Sequence, residues 1–73
     1  MIFTERKRKS RRDDKIRAIS EELRGITAAL EASDAGFNEV SDEDLIEAMI
    51  YERSSLRARY SYLIKELKRI EAE

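Results

Sequence analysis

Apolar residues recur in two periodic stripes separated by a short polar break. Over residues 14–35, Ile16, Ile19, Leu23, Ile26 and Leu30 follow one another at spacings of 3, 4, 3 and 4. That rhythm predicts an amphipathic helix in heptad register. A second stripe, Ile46, Met49, Leu56, Tyr60, Leu63, Leu67 and Ile70, carries Arg53 where an apolar residue is due. Arg53 is read as a snorkelling side chain or as one half of an ion pair across an interface. Leu45, Ile50 and Ile64 widen this stripe, which suits a packed bundle better than a thin two-stranded coiled coil.

The break between the stripes reads GFNEVSDEDL, residues 36–45. Gly36 suits the left-handed residue that closes a helix. Ser41 is a good N-cap for the next helix, with Asp44 placed to reach back in a capping box. Val40 and Leu45 then stand as a hydrophobic staple, and Asp42, Glu43 and Asp44 meet the positive end of the helix dipole. Ser10 and Asp13 can form a similar box at the start of the first helix. Gly25, inside that helix, is expected to mark a close helix–helix approach. The expected organisation is a single domain over residues 1–73: a basic arm at 1–12, a helix at 13–35, a turn at 36–41 and a helix at 42–72. So short a link makes the helices antiparallel neighbours, an all-α two-helix hairpin.

Pairing Ala35 with Asp42 leaves the tail of the second helix without a partner. Positions facing each other would then have numbers summing to about 77 at equal rise. Ile64, Leu67 and Ile70 meet no apolar residue at their level in the first helix. Either Ile2 and Phe3 fold back over them, or a second chain covers them. The second option predicts a homodimeric four-helix bundle, with Leu63, Ile64, Leu67 and Ile70 at the interface. A chain of 73 residues without cysteine or histidine has no disulfide or thiolate–zinc staple, which favours oligomerisation.

Charge is segregated along the chain. Residues 1–17 hold eight basic groups and three acids, whereas the remainder holds seven basic groups and thirteen acids. Between Arg24 and Arg53 there are eight acids and no basic residue. The hairpin is therefore acidic at its turn and basic at its open end, and two copies would attract head to tail. The run Arg6, Lys7, Arg8, Lys9, Arg11 and Arg12 is a candidate contact for nucleic acid or another anion. Its aromatic neighbourhood is Phe3 alone, so it lacks a stacking platform. Ile2, Phe3 and the same basic block would also suit an anionic membrane surface.

Other chemistry has little support in the residues. Neither Asp34 nor Asp42 begins the ligand spacing of a calcium loop, so no metal site is expected and the acids are assigned to capping. Histidine, the commonest general base, is absent, and two short helices enclose no substrate-sized cavity. No catalytic residue or cofactor is expected, and the chain is read as not an enzyme. Tyr51, Tyr60 and Tyr62 are read as amphipathic residues at the edge of the core. The longest apolar runs are too short to span a bilayer, the start lacks a secretory h-region, and cysteine is absent, which together predict a cytoplasmic protein.

The segments FNEVSD, DLI, IYE and RYSYLIK, all within residues 37–65, resemble the YaaL-like family of small bacterial proteins, domain of unknown function 2508. Its members often carry proline where this chain has Glu43. The resemblance implies a bacterial cytosolic protein and carries over no activity, cofactor or catalytic residue. The functional expectation is a non-enzymatic protein–protein interaction module with an unknown protein partner. The alternative is an accessory nucleic-acid-binding protein that uses the basic arm.

Overall fold

The computed structural model describes the backbone from Ile2 to Glu73 and the side chains from Ser10 onward. It contains two helices, α1 (Ile2–Phe37) and α2 (Glu43–Ala72), packed as an antiparallel hairpin. Helices of 36 and 30 residues are roughly 54 and 45 Å long at 1.5 Å per residue. The molecule is accordingly a rod of 61 × 16 × 13 Å. Among the described residues, no helix is long and apolar enough to cross a membrane.

The first helix is longer than its apolar stripe. Its backbone is helical from Ile2, so residues 2–12 form the start of α1 rather than a separate arm. Ser10 and Asp13 lie inside the helix and cap nothing. The physical reason is composition: Glu, Arg and Lys are good helix formers, and neither proline nor glycine occurs before Gly25. Apolar periodicity marks where a helix packs, and α1 continues as a charged helix beyond that point. Whether Ile2 and Phe3 fold onto the tail of α2 lies outside the described side chains.

The turn also differs in detail from the expectation. Gly36 stays within α1, and no described residue has positive φ. The chain leaves the helix instead through bonds from the Glu39 N–H to the Gly36 carbonyl (3.1 Å) and from the Val40 N–H to the Phe37 carbonyl. The N-cap of α2 is Asp42, not Ser41. Its Oδ1 accepts from the Asp44 N–H at 2.9 Å and the Leu45 N–H at 3.1 Å. Asp caps as well as Ser, and its carboxylate adds the attraction of the helix dipole. Glu43 thereby becomes the first helical residue, the one position where proline fits without losing a bond. The one-residue shift also cancels the Val40–Leu45 staple and leaves Leu45 exposed.

The core is one seam. Among the described residues, Ile26, Leu63 and Ile70 are buried in it, and Ile16, Ile19, Leu23, Leu30, Ile46, Met49, Leu56, Ile64 and Leu67 are half-buried along it. The tail of α2 is covered within a single chain: Leu63 and Ile70 are only 3% and 5% exposed. The mismatch inferred from apolar spacing came from ending α1 at Ala35 and starting its packing at Ile16. With the helices meeting at Phe37 and Glu43, Arg59 contacts Glu22, about four residues further along α1 than the even pairing puts it. α1 then runs beside α2 to its end. Gly25 makes no close approach, because a Cβ there would meet nothing within 4 Å.

Candidate functional site

Two interhelical ion pairs mark the two flanks of the hairpin. Successive helical residues are about 100° apart, which puts Asp34 and Arg53 to one side of the seam and Glu22 and Arg59 to the other. On the first flank Arg53 Nη1 pairs with Asp34 Oδ1. Arg53 is thus an ion-pair residue within one hairpin, filling the gap in the apolar stripe. Beside it an open cavity of about 240 Å³ is lined by Phe37, Ile50, Arg53, Ser54 and Arg57. Further along, Tyr60 and Ile64 continue this flank, with Ile50 half exposed at 50% and Tyr60 at 38%.

The second flank is layered with charge. Arg59 donates to Glu22 Oε1 from Nε at 2.9 Å, with its Nη2 at 2.7 Å from the same oxygen. The same guanidinium lies over the Tyr62 ring, 5.4 Å from its centroid. Nearer the C-terminus Arg69 Nη2 meets Glu66 Oε2 at 2.7 Å and its Nη1 meets Glu73 at 3.4 Å. The Arg69 hydrogen bond holds the Glu66 carboxyl below its ordinary range; slight desolvation opposes this, and the Arg69 and Lys15 charges assist. The hydrogen bond to Glu66 raises Arg69 in return. Tyr51 and Tyr62 stand exposed on the outer side of α2, away from the core edge expected for them, and only Tyr60 lies at that edge.

The residues singled out from sequence are distributed as follows. Arg11 and Arg12 are exposed on α1, whereas the side chains of Arg6, Lys7, Arg8 and Lys9 lie outside the described residues. Leu63 and Ile70 are buried against α1 and so closed to a partner, and Ile64 and Leu67 are half-buried. Asp42 is engaged as a cap, and Glu43 and Asp44 lie in the first turn of α2. Among the described residues, no three His, Cys, Asp or Glu side chains converge as a metal-binding group. The Glu22–Arg59 and Asp34–Arg53 pairs were not foreseen, because finding them requires the true helix ends and hence the register.

These features define a charge-clad, all-α two-helix hairpin with one open flank on which Ile50, Tyr60 and Ile64 stand beside Arg53 and Arg57. The chain belongs to the family described as protein of unknown function (DUF2508), whose model matches residues 1–72 and so takes in α1 as well as the turn and α2. No curated protein and no solved structure matches it.

Proposed function

We propose that this hairpin is a non-enzymatic protein–protein interaction module that works as part of an assembly, itself a homodimeric four-helix bundle. The observation that supports this is the imbalance of its surface. Among the described residues only Ile26, Leu63 and Ile70 are buried hydrophobes, while Leu45, Ile50, Tyr51, Tyr60 and Tyr62 are exposed. Large exposed apolar and aromatic groups on a rod with so small a buried core suit docking, and tyrosine is favoured at interfaces because it joins an apolar ring to a hydrogen-bonding tip. A bacterial cytoplasmic setting accompanies this reading, supported by the YaaL-like segments and by a chain without cysteine.

A photo-crosslinking residue at Tyr51 or Tyr62, introduced in the source cell, tests the reading. The expected result is a discrete adduct with another protein, reproduced with the two purified components. Crosslinking to nothing at either position would overturn it.

The second reading, nucleic-acid contact, draws support from the helical continuity of α1 through residues 6–12. A helix displays such a basic run at fixed spacing. The acidic turn end opposes it, since a phosphate backbone is repelled there.

A further inference from the structure

We propose that a second copy of this chain docks on the flank that carries Ile50, Tyr60 and Ile64, in antiparallel orientation, so that each acidic turn lies against the other copy's basic open end. This rests on the interaction-module reading and names both the face and one partner.

The two flanks differ in what covers the seam. On the Glu22–Arg59 flank, long charged side chains close it, with Arg59 spanning to Glu22 and Tyr62 and with Glu66 tied to Arg69. On the Asp34–Arg53 flank the half-buried Ile16, Leu23, Ile46 and Ile64 run beside the exposed Ile50 and Tyr60, and the open cavity indents the same face. Arg57 lines that cavity and forms no ion pair among the described residues; its long stem can lie along the apolar surface with the head at the rim. Of the two large aliphatic side chains exposed on α2, Leu45 and Ile50, the latter is on this flank.

Area points the same way. The chain exposes 6191 Å², against roughly 4,700 Å² expected of a compact monomer of its mass. A flank as long as α2, roughly 45 Å at 1.5 Å per residue, and as wide as the rod's 16 Å, offers about 700 Å². A standard stable interface takes about 800 Å² from each partner. A two-fold arrangement uses one patch on both copies, so the patch must complement itself. The charge pattern decides the orientation. Eight acids without a basic residue lie between Arg24 and Arg53, while residues 1–17, at the open end, hold eight basic groups against three acids. An antiparallel pair sets these opposite each other, whereas a parallel pair sets acid against acid within a Debye length of about 8 Å.

Sedimentation equilibrium of the full chain at micromolar concentration tests the proposal. The expected mass is twice the 8.6 kDa chain. Ile50→Asp should weaken self-association at least tenfold with the circular dichroism spectrum retained. Tyr62→Asp, on the other side of α2, and Gly25→Ala, on open α1 surface, should leave it unchanged. The chain has no native cysteine, so Asn38→Cys and Ala72→Cys proteins can each be labelled at one site. Energy transfer should be strong between copies labelled at 38 and at 72, and weak between two copies labelled at 38. A monomer at all concentrations, a dimer broken by Tyr62→Asp but not by Ile50→Asp, or strong turn-to-turn transfer would each overturn the proposal. A chain that stays monomeric yet still crosslinks another protein through Tyr62 would refute self-docking and the four-helix bundle, and leave only the interaction with that other protein standing.

Discussion

Arg53 on α2 reaches across the seam to Asp34, in the last turn of α1. The pair is unequal: the Arg53 side chain is 22% exposed and that of Asp34 59%. Most of Arg53 is therefore stem packed among apolar neighbours, while Asp34 sits near the negative end of the α1 dipole, an unfavourable place for a carboxylate. Arg53→Ala should destabilise the hairpin by about 1 kcal/mol, mostly through lost packing. Asp34→Ala should cost less, because it also relieves the dipole. Arg53→Leu should raise the melting midpoint, since an apolar side chain often matches or betters a partly buried ion pair. Thermal melts of the three variants at one concentration decide this; equal losses for both alanine variants would show that the ion pair itself dominates.

The cap of α2 gives a sharper comparison. Asp42→Ala should destabilise by about 1 kcal/mol, the usual loss for an N-cap, and Ser41→Ala should have almost no effect. Urea midpoints of the two variants measure the difference. The reverse ranking would place the helix start one residue earlier.

That one residue shows what was legible in the sequence and what was not. The turn, the antiparallel pairing and the apolar stripes were readable, because periodicity and start signals depend on residue type alone. Ser41 and Asp42 are both good caps, however, and only backbone geometry separates them. The start of α1 was misplaced because its first residues have high helix propensity but no apolar rhythm. The supposedly uncovered tail followed from that error: a seam registered at Phe37 and Glu43 buries Leu63 and Ile70 within one chain.

Gly25 is a plain test of helix propensity. It lies exposed in mid-helix with room for a methyl group. Gly25→Ala should stabilise by about 0.5–1 kcal/mol. A loss measured by chemical denaturation would mean that another surface approaches this point closely.

Glu66 carries the pH dependence of the C-terminal turn. Its carboxyl is held below the ordinary 4.5 by the Arg69 hydrogen bond. A lowered folded-state value means that the group's contribution is fully present above pH 4.5 and fades as the pH falls through the lowered value. The group is solvent-accessible, so the effect on overall stability should be small. In an NMR titration, Arg69→Gln should move the Glu66 midpoint up toward 4.5. An unmoved midpoint would remove the assigned cause.

The basic start of α1 separates the two functional readings. Deleting residues 1–9 should lower helical ellipticity by roughly one-eighth, in proportion to the helical residues lost, and leave the seam folded. Duplex DNA binding, followed by fluorescence anisotropy, should be weak, about 10⁻⁴–10⁻⁶ M at physiological salt, and should fall with salt at a slope near −0.9 per phosphate contact. Deletion should abolish it. Tight, sequence-dependent binding that survived deletion would sink both the interaction module and the assignment of nucleic-acid contact to the basic start of α1.

The placement of the buried residues also shapes how the hairpin comes apart. Two of the three buried residues, Leu63 and Ile70, lie in the half of the rod farthest from the turn and Ile26 lies near its middle, whereas Leu45 and Ile50, next to the turn, stay exposed. The contacts quickest to form are therefore the weakest. Those that hold the chain together must close a loop of about 45 residues rather than about 13, at an added entropic cost of about 1 kcal/mol. A half-zipped hairpin closed only at its turn would gain too little burial to persist, so folding of the two halves should be cooperative. Heating should give a single transition, with amides near the turn and those around Leu63 losing their order together instead of peeling back from one end.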